Sequence, residues 1–214
     1  LHLEKGMTQE EAVSAAAAGL RRGIRDFRLS AGLILCCMRG ERGRAENMET
    51  VAVAERFLGR GVCALDLAGN EAAYPTDRFS DVFHRAMERE IPLVIHAGEA
   101  AGADSVRTAL ELGAVRIGHG IHAASDEGVM EILRDRGIFL ELCYSSNLQT
   151  RAVGSPEEYP LERFLDRGIR ATVNTDNMTL SGTSVQREYL LQQERCGLDV
   201  EALKGLASHP ADAA

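Results

Sequence analysis

Helical and strand-like segments alternate along this chain, and glycine marks most of the seams between them. Thr8-Gln9-Glu10-Glu11 has the pattern of a capping box and opens an Ala-rich helix expected to end near Gly23. The apolar run Gly32–Met38 follows, then a helical stretch from about Met48 to Leu58, stopped by Gly59 and Gly61. The same order recurs at Val62–Ala68, at "IPLVIHAGE" after an amphipathic helix over Asp77–Glu90, and at "AVRIGHG" after a helix over 104–112 closed by Gly113. It recurs again at "IFLELCYSSN" after Asp126–Asp135 and Gly137, and at "IRATVNTDN" after Leu161–Asp166 and Gly168. Helices over Val185–Arg195 and Val200–Leu206 finish the chain.

Glycine at these junctions is what helix C-caps require. The apolar runs are short and continuous, as parallel strands buried on both faces are. Six such strands, each followed by a helix, predict an α/β fold with a parallel sheet. A closed (β/α)8 TIM barrel needs eight units and typically about 250 residues. About six units fit in these 214 residues, so two units are expected to be missing from the front. A first residue other than Met supports that expectation. No linker or low-complexity segment interrupts the chain, which predicts one domain over residues 1–214.

Composition narrows the function classes. The chain is 45% apolar and 26% charged, enough for a sizeable core, and carries a formal charge of −8. An acidic balance argues against a nucleic-acid or membrane-surface partner. No run of about 18 apolar residues occurs, and no leader sequence is expected. Five scattered cysteines read as free thiols in a reducing compartment, which predicts a cytoplasmic protein.

The polar residues then fall at equivalent places. "ALDLAGNE" ends in Gly69, Asn70 and Glu71; "LVIHAGE" in His96 and Glu99; "RIGHG" in His119; "LELCYSSN" in Ser145, Ser146 and Asn147; "ATVNTDN" in Asp176 and Asn177. The C-terminal strand ends of βα barrels carry the active site. On a regular strand, side chains three residues apart point to opposite faces, so His96 and Glu99 cooperate only if the chain leaves the strand near Gly98. An imidazole and a carboxylate suit zinc, whose bound water reaches a pKa of about 7. A nearby glutamate suits proton transfer. The set describes metal-assisted hydrolysis.

"LDLAGNE", "HAGE", "GHG", "LELCYSSN" and "NTDN", in that order, resemble the adenosine deaminases of the metal-dependent amidohydrolase superfamily over about residues 1–206. The resemblance implies zinc-dependent deamination of adenosine, a 6-aminopurine nucleoside, to inosine and ammonia. It implies His96 and Asp176 as zinc ligands, Asp176 also holding the attacking water. It makes Glu99 the acid at purine N1 and His119 the group that positions the water. The backbone N–H of Gly69 would meet N3, and Asn177 would face N7. Three features depart from the family. Its His-x-His pair, two further zinc ligands, is absent, and His2-Leu3 does not supply it. Asn177 stands where many members have aspartate, yet an amide donates to N7 at any ordinary pH. Tyr144 stands in place of a proline. Two alternatives stand beside this reading: deamination of another aminated purine such as adenine, and an inactive chain without metal. Asp176 or Asn177 would otherwise serve as a helix cap, and Gly69 as a turn residue. His84, His122 and His209 are assigned no role, and Cys36, Cys37 and Cys143 are expected to be small core residues.

Overall fold

Thr8 caps the first helix as its neighbours demand. Its hydroxyl accepts the Glu11 N–H at 3.2 Å, and its own N–H donates to the Glu11 carboxylate at 2.9 Å. The computed structural model describes residues 3–41 and 43–212, so His2 and the His209 side chain lie outside what is described. The chain divides into two compact units, Leu1–Ile95 with Leu112–Ala114, and His96–Glu111 with Val115–Ala214.

The first unit contains α1 (Gln9–Phe27), β1 (Leu33–Met38), α2 (Arg44–Phe57), β2 (Val62–Ala68) and α3 (Ser80–Met87). β1 and β2 pair in parallel, with Leu35 opposite Leu65 and Cys36 opposite Asp66. Leu65, Leu67 and Phe83 are fully buried here. α1 runs four residues past Gly23 and ends on Arg28, which takes the left-handed cap conformation at φ +51°. The helix expected over Asp77–Glu90 is shorter. A 3-10 turn over Thr76–Phe79 precedes α3, and Glu90 at φ +54° closes the following turn. Cys37 is buried as expected, but Cys36 on the opposite face of β1 is exposed, because successive strand residues alternate sides.

The boundary between the units falls inside β3 (Val94–Ala97), before His96. The second unit continues with α4 (Ala103–Glu111), β4 (Arg116–His119), α5 (Glu127–Asp135), β5 (Phe139–Leu142) and α6 (Tyr144–Gln149). α7 (Leu161–Asp166), β6 (Ala171–Val173), α8 (Met178–Ser181), α9 (Val185–Arg195) and α10 (Val200–Asp212) follow. The sheet order is β3-β4-β5-β6. β4 pairs with β5 and β5 with β6, both in parallel, with Ile117 opposite Leu140 and Leu142 opposite Val173. Ile117, Leu140, Leu133 and Phe164 are fully buried between this sheet and its helices. The expected six strands are thus present among the described residues, each at its apolar run. No described helix is long and apolar enough to cross a membrane.

Candidate active site

β3 ends because Gly98 turns it. Gly98 has φ +71°, and a Cβ there would sit 2.5 Å from the Val106 side chain. Only glycine tolerates both conditions. The turn brings Glu99 off the strand and to the same side as the neighbouring histidine on β4: the Glu99 carboxylate lies 3.5 Å from His119 Nε2. Its other oxygen accepts the Thr150 hydroxyl at 3.3 Å. His96, half-buried on β3, meets His119 edge to face with ring centroids 5.1 Å apart. Gly118 makes room for it, since a Cβ at that position would sit 2.8 Å from His96 Nδ1. His96, Glu99 and His119 therefore form one cluster.

Two candidate residues adopt backbone conformations that side chains rarely take. His119 has φ +59° and Asp176 φ +53°. Such conformations cost on the order of 1–3 kcal/mol and persist where surroundings impose them. The surroundings here come from one short helix. In α6, the Ser146 hydroxyl donates to the Asp176 carboxylate at 2.7 Å, and the Asn147 amide nitrogen lies 2.9 Å from His119 Nδ1. The preceding Ser145 N–H donates at 3.1 Å to the carboxylate of Glu188 on α9, which also accepts the Thr183 hydroxyl. Three consecutive residues of α6 thus hold a partner each, and two of those partners are candidate site residues. Burial pushes the adjacent Cys143 thiol well above its ordinary value, with the Asp176 carboxylate adding to the effect.

The remaining candidates sit differently. Asn177, not Asp176, is the N-cap of α8: its side-chain oxygen accepts the Thr179 and Leu180 N–H groups. The cap uses the oxygen of the amide and not its nitrogen. Gly69 belongs to the first unit, exposed after β2 with φ +113°, where a Cβ would crowd Arg39 at 3.3 Å. Arg39 is buried and donates to the Tyr74 carbonyl and the Thr76 hydroxyl, bracing the loop that follows Gly69. His122 is held by its Nδ1, 3.1 Å from the Gly98 carbonyl, and His84 is exposed on α3. Neither gains a role. Nothing local in the sequence marks Glu188 or Thr183, because Glu188 follows Gln186 and Arg187 and looks like part of a solvated helix face.

His96 and Asp176 offer the nitrogen and oxygen donors that zinc prefers. A catalytic zinc needs at least three protein ligands, and among the described residues no group of three is assembled. The donor types fit the metal, but the set is not closed.

Parallel strands alternating with helices, with histidine and carboxylate at the strand ends, are the arrangement in which βα-barrel enzymes carry their sites. An adenine deaminase from Arthrobacter aurescens superposes with TM-score 0.89 at 26% identity, covering 100% of this chain and 65% of that one. An amidohydrolase from Burkholderia ambifaria, solved with bound zinc, shares the fold with TM-score 0.89 at 22% identity, covering 98% and 58%. The chain belongs to the adenosine deaminase family, whose model matches residues 1–214. An adenosine deaminase from Haemophilus ducreyi is 48% identical over 210 residues, 96% of this chain and 61% of that protein. The chain thus spans about three fifths of the length of such relatives.

Proposed function

We propose that the protein catalyses the hydrolytic deamination of adenosine to inosine and ammonia. The observation that carries this reading is the cluster of His96, Glu99 and His119, with Glu99 3.5 Å from His119 Nε2. In the reaction, water adds to purine C6, N1 takes a proton, and the C6–N6 bond breaks to release ammonia. Glu99 holds the proton that goes to N1. His119 orients the incoming water. The Gly69 N–H meets purine N3 and the Asn177 amide donates to N7. His96 and Asp176 are two of the residues that would hold zinc, which supplies an acidified water. All five cysteines are unpaired, which supports a reducing, cytoplasmic location. One domain over residues 1–214, taking a small purine nucleoside and neither nucleic acid nor membrane, completes the reading.

Two observations favour alternatives. The likeness to an adenine deaminase favours a free base as substrate. The lack of a third ligand among the described residues favours an inactive, metal-free chain. Zinc analysis of the full-length protein, with ultraviolet assays on adenosine and adenine, separates them. The expected result is near-stoichiometric zinc, preference for adenosine, and loss of activity in Glu99→Ala. Substantial activity in that variant would sink the proton-donor role. Active protein without metal would sink the mechanism.

A further inference from the structure

Asn147 is completely buried, yet its side-chain oxygen has no hydrogen-bond partner. A buried asparagine with one end idle calls for an account of the other end. That end is the amino group, 2.9 Å from Nδ1 of an equally buried histidine, His119. An amide NH2 has hydrogens and no accepting lone pair. Nδ1 must therefore present its own lone pair, and a neutral imidazole then carries its hydrogen on Nε2. Nε2 is the nitrogen that faces Glu99.

The reverse amide orientation would place the oxygen against Nδ1 and leave the NH2 group in the site where the oxygen now has no partner. An orphaned buried N–H is the rarer condition and an under-satisfied carbonyl the commoner one. Both ends of the contact are also fixed. Ser145, two residues before Asn147, is pinned by its N–H to Glu188, and the Asn147 N–H donates to the Cys143 carbonyl. His119 is fixed by its left-handed backbone and by the Gly120 N–H bond to the Ala97 carbonyl.

We propose that Asn147 is a positioning residue that places the ring hydrogen of His119 on Nε2. His119 then acts on a reacting oxygen as a hydrogen-bond donor. Its Nε2 has no lone pair with which to take a proton from water. The consequence for turnover rests on the proposed deaminase reading; the placement of the ring hydrogen does not.

Imidazole 15N NMR on full-length protein labelled at histidine tests this, with the His119 signals identified by their loss in His119→Gln. The expected spectrum has a lone-pair-type Nδ1 and a hydrogen-bearing Nε2. A hydrogen-bearing Nδ1 in the unsubstituted protein overturns the proposal. Asn147→Asp keeps the shape but turns an acceptor toward Nδ1. It should move the hydrogen to Nδ1 and lower kcat on adenosine by up to about 10⁴-fold, the loss seen when a catalytic histidine is held in the wrong tautomer, with KM held. Unchanged kcat after the hydrogen has moved overturns the positioning role. If Asn147→Asp does not fold, the unsubstituted spectrum still decides the ring. If the unsubstituted protein does not turn over adenosine, the deaminase reading fails and the same spectrum still decides.

Discussion

Two buried asparagines, one in each unit, show what separates the two halves of this molecule. Asn47 in the first unit spends both ends of its amide on one backbone residue, accepting the Met38 N–H at 2.9 Å and donating to the Met38 carbonyl at 3.0 Å. It closes the edge of β1 much as a strand would. Asn147 in the second unit spends one end on a histidine ring and leaves the other unmatched. Arg39 and Thr76 in the first unit tie loops together. In the second, Ser146 holds the Asp176 carboxylate, and Glu188 holds the Ser145 N–H one residue earlier in the same helix. Buried polarity satisfied by backbone is scaffold, whereas buried polarity aimed at another titratable side chain points to a site.

The largest effect that tests this contrast is on Glu188. Glu188→Ala leaves the Ser145 N–H and the Thr183 hydroxyl without their charged acceptor and should destabilise by about 3 kcal/mol, measured by urea unfolding. It should also lower kcat in the protein that remains folded, because α6 loses its anchor. Asn47→Ala should cost about 1–3 kcal/mol for the unpaired backbone of Met38 and leave kcat unchanged. Equal losses of kcat in both variants would break the contrast.

The next effect is on activity rather than stability. Gly118→Ala puts a methyl group 2.8 Å from His96 Nδ1 and 3.2 Å from its Cα. The ring must move, and a displacement of about 1 Å at a catalytic group costs about 10²-fold in kcat. Full activity in Gly118→Ala would detach His96 from the chemistry and leave the second unit's cluster as mere packing.

How far the sequence disclosed this arrangement depends on the range of the forces involved. All six strands were legible, because burial writes itself into local apolar runs such as Ile117 and Leu140. The turn at Gly98 was legible too, since two polar residues flank a glycine at a strand end. The end of α1 was not: Gly23 is a poor helix residue, but an extra turn of helix was possible and Arg28 supplied the cap. The cluster of His96, Glu99 and His119 was legible as a list, yet its bonds were not. Ser146 to Asp176 spans thirty residues and Ser145 to Glu188 spans forty-three. No local pattern specifies such pairs, and Glu188 looks like any charged helix residue until α9 packs. β1 differs from the pattern in another way. Its apolar run predicts burial on both faces, but Ile34 and Met38 are 37% and 53% exposed, because β2 is its one strand partner among the described residues.

Asn177 offers a finer cut, since it is both a cap and a proposed substrate contact. Asn177→Ser keeps an N-cap oxygen and so should leave stability unchanged within a few tenths of a kcal/mol, serine being an equally good cap. It removes the amide donor, and loss of one hydrogen bond to substrate should raise KM for adenosine about tenfold. An unchanged KM would assign Asn177 to the helix alone.

The smallest expected effect lies at the surface, where the two units should behave alike. Asp126 caps α5 through the Val129 N–H at 3.0 Å and pairs with Arg107 at 2.8 Å. The Val129 N–H, with the hydrogen bond from Arg107 next, holds its carboxyl below the usual carboxylate range. In the first unit the Thr8 N–H and hydroxyl do the same for Glu11. A depressed folded value means that the carboxylate stabilises the fold above its unfolded pKa of about 4, and that this contribution disappears as pH falls through the folded value. Asp126→Asn keeps the cap and removes the charge. It should therefore be slightly less stable than the unsubstituted protein at neutral pH and indistinguishable from it in strong acid. Glu11→Gln should trace the same curve. Thermal melts across that range would show the difference between the units returning if only one of the two variants followed it, since exposed caps carry none of the site's demands.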